Sequence, residues 1–121
     1  MVVVVTSLPS QFAAASRRDG ARTVVRLDGE LDLLNEDRAR AEVEIALDRG
    51  GTELVLDLRR LTFMDARGLH VLLDARAACT AQHRRLLLIP APDHVQRILE
   101  LCGLDRYFEH LEPGQHPRLV A

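Results

Sequence analysis

Leu54-Val-Leu-Asp-Leu-Arg-Arg-Leu-Thr-Phe-Met-Asp-Ala-Arg-Gly-Leu-His-Val-Leu-Leu73 decides how this chain is read. Its opening, Leu54 to Leu58, is a short apolar run interrupted only by Asp57, which predicts a buried strand. Arg59 to Met64 read as a connecting loop. Asp65 is then a good helix N-cap, because its carboxylate can accept the backbone N–H of Arg67 or Gly68. Behind it Leu69, Leu72 and Leu73 recur at helical spacing. A strand, a loop and a helix in that order bring the helix N-terminus beside the carboxyl end of the strand. In open α/β sheets ligands and partners dock at that edge, where helix N-termini present unpaired N–H groups. Asp65 to Gly68 is therefore the first candidate site.

Downstream, the helix is expected from about Ala66 to Gln82, with cations at His83-Arg84-Arg85 that suit a helix C-terminus. Leu86 to Ile89 form another apolar strand, closed by Pro90. After Pro92-Asp93, Val95, Ile98, Leu99 and Cys102 fall on one helical face, Gly103 is placed to end that helix, and Leu104 to Leu111 add a short turn or strand. Upstream, Phe12 to Ser16 read as an edge strand, Arg17 to Gly20 as a hairpin turn and Thr23 to Leu27 as the partner strand. Gly29 can bend the backbone, Asp32 and Asn35 are candidate caps, and Asn35 to Arg49 carry a helix stopped by Gly50-Gly51. Helices between apolar strands imply parallel neighbours and right-handed crossovers. The fold class is α/β, with a mixed sheet of four or five strands covered by helices. Residues 12 to 111 make one domain; residues 1 to 11, with Val2 to Val5, are an extension or first strand, and 112 to 121 a flexible tail.

Composition narrows the function. The 121 residues have room for a single core, and 47% hydrophobic with 28% charged residues is ordinary for a soluble protein. A net charge of -2 and 3% aromatics leave neither a basic field nor a stacking surface for nucleic acid. All 16 basic residues are arginine, which excludes a Schiff-base lysine and the lysine of a phosphate-binding loop. Cys79 and Cys102 both read as small buried hydrophobes. The apolar run Met1 to Val5 is too short for a signal peptide or membrane span, so a cytoplasmic protein without membrane insertion is expected.

The residues offer little to an enzyme. His70, His83, His94, His110 and His116 lack metal-binding spacing and read as solvated side chains. Asp32, Asp57 and Asp65 form the carboxylate set to weigh, since Asp32 and Asp65 each follow a strand and precede a helix. On neighbouring strands they would share one rim and could hold Mg2+ or act on a phosphate. The plainer role is helix capping, worth ~1 kcal/mol each. Ser7, Ser10 and Ser16 lie away from the rim, and Ala66 stands where a hydroxyl would be useful. No catalytic residue, metal or cofactor is expected.

Val25-Arg-Leu-Asp-Gly-Glu-Leu-Asp32, the strand Leu54 to Leu58, Leu61-Thr-Phe-Met-Asp-Ala-Arg-Gly-Leu69 and Val95 to Phe108 together resemble the STAS domain of bacterial anti-sigma factor antagonists, over about residues 12 to 110. The resemblance implies a protein-binding module that docks, through the rim carrying the helix start, onto an anti-sigma factor that is also a serine kinase, and so frees a sigma factor. It implies further a serine directly after the motif aspartate, phosphorylated by that kinase, whose added charge of about -1.5 to -2 blocks docking.

The position after Asp65 is Ala66, so that switch is missing. Either the protein stays permanently competent to bind, or it serves as a scaffold or subunit in a stress-sensing or transporter complex. Asp32 and Asp65 would set the rim, with Glu30 beside them; Ala66 and Gly68 would admit partner backbone; Arg67 and Leu69 would add contacts. Arg67 opposes the helix dipole by a few tenths of a kcal/mol; either Glu30, Asp32 or an acidic group on the partner compensates it, or it is an unpaired arginine facing solvent. Thr62 is the nearest hydroxyl that could take a phosphate instead. A monomer or weak dimer is expected.

Overall fold

The computed structural model describes residues 11–111; the readings made for Val2 to Val5, Ser7, Ser10, His116 and the tail from residue 112 lie outside them. The chain enters strand β1 (Phe12–Asp19), turns through Gly20 and Ala21, and returns as β2 (Arg22–Leu31), antiparallel to it. Gly20 holds φ 63° at the first turn position, which suits a right-twisted two-residue hairpin. The turn expected at Arg17 to Gly20 is thus shorter. Arg17, Arg18 and Asp19 continue the edge strand, where charged side chains guard an open edge.

Helix α1 (Glu36–Asp48) crosses back to β3 (Glu53–Met64), helix α2 (Ala66–Ala81) to β4 (Arg85–Ile89), and helix α3 (Asp93–Leu101) to the short β5 (Glu109–His110). The sheet has five strands in sequence order, with β2 through β5 parallel and β1 antiparallel, inside the expected architecture. Gly50 and Gly51, at φ 87° and 95°, stop α1 as expected. Gly103, at φ 70°, ends α3, with its N–H on Glu100 and the Leu104 N–H on Leu99, the paired bonds of a Schellman motif.

Arg59 to Met64 are not a loop: they prolong β3, as Asp28 to Leu31 prolong β2. The two strands stay paired to Leu31↔Met64 through register shifts at Arg26/Asp28 and Gly29/Glu30, where β3 takes the extra residue each time. Such bulges disturb the alternation that marks a strand. They leave Thr62 and Phe63 both exposed, with Leu61 and Met64 buried on either side.

Alternation across β2, β3 and β4 sends Val25, Leu27, Leu56, Leu58 and Leu88 to the face covered by α1 and α2. Leu72, Ala75 and Cys79 of α2 and Val95 and Leu99 of α3 complete that core. Val24, Val55, Leu87, Ile89 and Leu111 form a smaller cluster on the opposite face. Cys79 is buried as expected, and burial pushes its thiol pKa up. Cys102 is exposed instead, because it sits at the end of α3, past the buried stripe.

Candidate functional site

β2 and β3 are hydrogen-bonded neighbours, so Asp32 and Asp65, each the first residue beyond its strand, come to one rim. The Asp65 N–H reaches the Leu31 carbonyl at 3.4 Å and ties the two strand ends together. Asp65 caps α2 as its position predicts: Oδ1 accepts the N–H of Arg67 at 2.9 Å and of Gly68 at 3.3 Å. Asp32 and Asn35 do not cap α1. Asp32 Oδ1 accepts the Leu34 N–H at 3.0 Å, and the buried Asn35 amide donates to the Glu30 carbonyl at 2.9 Å and to Asp32 Oδ1 at 3.3 Å. These bonds fold residues 32–35 into a pinned loop.

Of the expected surface, Ala66 and Arg67 are exposed, and Asp32, Asp65 and Glu30 are half-buried. Gly68 and Leu69 are not surface residues. A Cβ at Gly68 would lie 2.3 Å from Met64 Cγ and 3.0 Å from the Leu31 carbonyl oxygen, so the glycine seats the helix start on the strand ends instead of admitting a partner. Leu69 packs into the core. Arg67 pairs within the chain, but with Glu36 of α1 at 3.5 Å, not with Glu30 or Asp32. Glu36 also takes Arg40, which bonds Asp74 of α2, and Asp74 above all holds the Arg40 guanidinium charged.

The carboxylate set comes apart. Asp57 is buried within β3, accepting the Arg59 N–H at 3.1 Å, Nε at 3.0 Å and Nη2 at 2.9 Å. Its hydrogen bond raises the Arg59 pKa. Among the described residues no group of three His, Cys, Asp or Glu side chains could hold an ion, and Asp32 and Asp65 each spend an oxygen on local backbone. Among them too, no helix is long and apolar enough to cross a membrane.

Sequence reasoning missed the rim's apolar part. Leu33 is 60% exposed, Leu34 72% and Phe63 47%, all beside Asp32 and Asp65. Glu30 faces Phe63 across the strand pair. The signal was there in Leu33-Leu34, two leucines in phase with neither a strand nor a helix. Thr62 is exposed next to them, and its carbonyl lies 2.9 Å from His94 Nε2 of α3. The rim thus joins an apolar ridge to a capped helix start that has no hydroxyl side chain after its cap.

The family described as "Mlab, STAS domain" matches residues 14–113. An anti-sigma F factor antagonist of Paenibacillus polymyxa is 34% identical over 82 residues, covering 67% of this chain and 70% of that one. The structure of an anti-sigma factor antagonist from Mycobacterium paratuberculosis superposes with a TM-score of 0.75 at 21% identity, over 86% of this chain and 88% of that one. That of the anti-sigma factor antagonist SpoIIAA in its unphosphorylated form gives 0.70 at 25% identity, over 85% and 91%.

Proposed function

The chain belongs to the STAS-domain family, and from that premise we propose that it is an anti-sigma factor antagonist: a cytoplasmic, non-enzymatic regulator that binds an anti-sigma factor of the serine-kinase type and releases a sigma factor. The observation that carries the reading is the rim, where the exposed Leu33, Leu34 and Phe63 adjoin Asp32, Asp65, Ala66 and Arg67. Apolar side chains held out by a pinned loop, ringed by polar groups, fit a protein partner. Asp65 keeps its oxygen on the helix start, so the partner meets a preformed turn and the cost of ordering it is already met.

Ala66 makes this binding constitutive. The residue is exposed but has no oxygen to accept a phosphoryl group, so a kinase that docks here cannot switch its own antagonist off at this position. Control then passes to the abundance of the protein or to the state of its partner. Ala66 equally favours a second reading, a STAS-type subunit held in a stress-sensing or transporter assembly. An enzyme using Asp32 and Asp65 is the less favoured reading, since each carboxylate commits an oxygen to local backbone.

Affinity purification from native cells followed by mass spectrometry identifies the partner, and calorimetry on the purified pair tests the mechanism. The expected result is an affinity that prior incubation with ATP leaves unchanged in the native chain and abolishes in Ala66→Ser. A partner without a kinase fold, recovered as part of a multisubunit complex, would select the second reading.

A further inference from the structure

At the end of α2 away from the rim, the last helical turns, the start of β4 and the segment before β5 enclose a concavity of about 190 Å³. Arg76, Thr80, Arg84, Arg85, Tyr107 and Glu109 line it, three guanidiniums against one carboxylate. Arg85 is matched: it pairs with Glu53 at 3.0 Å and with Glu109. Arg76 and Arg84 are not. Arg76 Nη1 donates to the Tyr107 hydroxyl at 2.8 Å, with its guanidinium carbon 3.9 Å from the ring centroid. Arg84 Nη1 donates to the Leu47 carbonyl at 2.8 Å. Both acceptors are neutral, and among the described residues neither cation has a carboxylate partner.

Two half-buried guanidiniums are therefore held in place by contacts that leave their charge unanswered. Each retains further N–H donors, since a guanidinium carries five, and its planar fork matches the oxygens of a phosphate. Thr80 adds a hydroxyl at the same wall. The whole chain carries a charge of -2, so this excess of cations is local. Glu109 restrains it, which suits a single phosphate group better than a polyanion.

We propose that this concavity binds a phosphate group carried by a small soluble molecule, at a site separate from the docking rim and about 20 Å from it along α2. The geometry is already in place, so binding costs little reordering of side chains.

The test is a titration of the full isotope-labelled chain with inorganic phosphate, followed by NMR and compared with sodium chloride at matched ionic strength. The expected result is saturable shifts confined to residues 76–86 and 107–109, with an affinity in the millimolar range. Arg76→Gln, which keeps a helix-forming side chain, should weaken binding about fivefold or more. Arg67→Gln at the rim should leave it unchanged. Tyr107→Phe, which frees Arg76 without removing its charge, should weaken it by a smaller factor. Equal shifts in chloride, shifts centred on the rim, or native affinity in Arg76→Gln would each overturn the proposal.

Discussion

The two helices that start at the rim begin by different means. α2 follows β3 after the single residue Asp65, whose carboxylate accepts the first backbone N–H groups of its own helix. α1 begins behind Asn35, as good a cap by residue type, yet the Asn35 side chain makes no cap hydrogen bond. It is only 5% exposed, and its amide is spent on Glu30 and Asp32. The path of the chain accounts for the difference. β3 runs almost directly into α2, whereas residues 32–35 must leave β2, fold over and enter α1, and so need an internal partner. Asp65 serves its helix; Asn35 serves its loop and, through it, the exposed Leu33 and Leu34. The rim is half rigid helix start and half pinned loop.

Gly68→Val attacks the rigid half where it is tightest. The new side chain meets Met64 and the Leu31 carbonyl, so a loss of about 3 kcal/mol, the upper part of the overpacking range, is expected. Tm should fall by roughly 10 °C or more in a thermal melt. A melt like that of the native chain would mean that α2 rests on the strand ends with slack, and the contrast between the halves would fail.

Asn35→Asp attacks the pinned half. It keeps the size of the side chain but removes both amide donors and faces the Glu30 carbonyl with a carboxylate, at an expected cost of about 1–3 kcal/mol in urea unfolding. Asn35→Ser, a good cap by residue type, should not recover the loss. At the other helix the rule reverses: Asp65→Ala should cost about 1 kcal/mol and Asp65→Ser should restore most of it. If both serines rescue alike, Asn35 is an ordinary cap and the comparison dissolves.

What could be read from the chain was what neighbouring residues settle between themselves. Asp65 before a run of helical leucines, Gly50-Gly51 after α1 and Leu86 to Ile89 before Pro90 carry their signals within a few residues, and each was placed correctly. The family and a mixed sheet of four or five strands are legible for the same reason. The length of β3 was not, because its second half is held by pairing with β2, distant in sequence, and its bulges break the period that marks a strand. By sequence Gly68 looks like an opening for a partner, since only the positions of Leu31 and Met64 reveal that the space is already taken. The apolar rim is only half legible, because Leu33 and Leu34 fall out of phase with strand and helix but their exposure depends on the loop that the Asn35 amide pins.

Arg67 stands between the two halves, and the smallest effect is expected there. Its side chain is 52% exposed and its guanidinium lies 3.5 Å from Glu36, at the first turn of the helix behind the pinned loop. A surface pair of this kind contributes about 0–1 kcal/mol, less in salt. Glu36 is not stranded when Arg67 goes, because Arg40 still holds it at 3.3 Å. Removing a cation from the first turn of α2 also relieves an unfavourable interaction with the helix dipole, a few tenths of a kcal/mol in the opposite direction. Arg67→Ala should therefore change the unfolding free energy measured in urea by less than about 0.5 kcal/mol, and adding salt should shrink the difference further. A loss well above that would show that the Arg67–Glu36 contact bolts the loop to the helix start, and that the two halves of the rim move as one body.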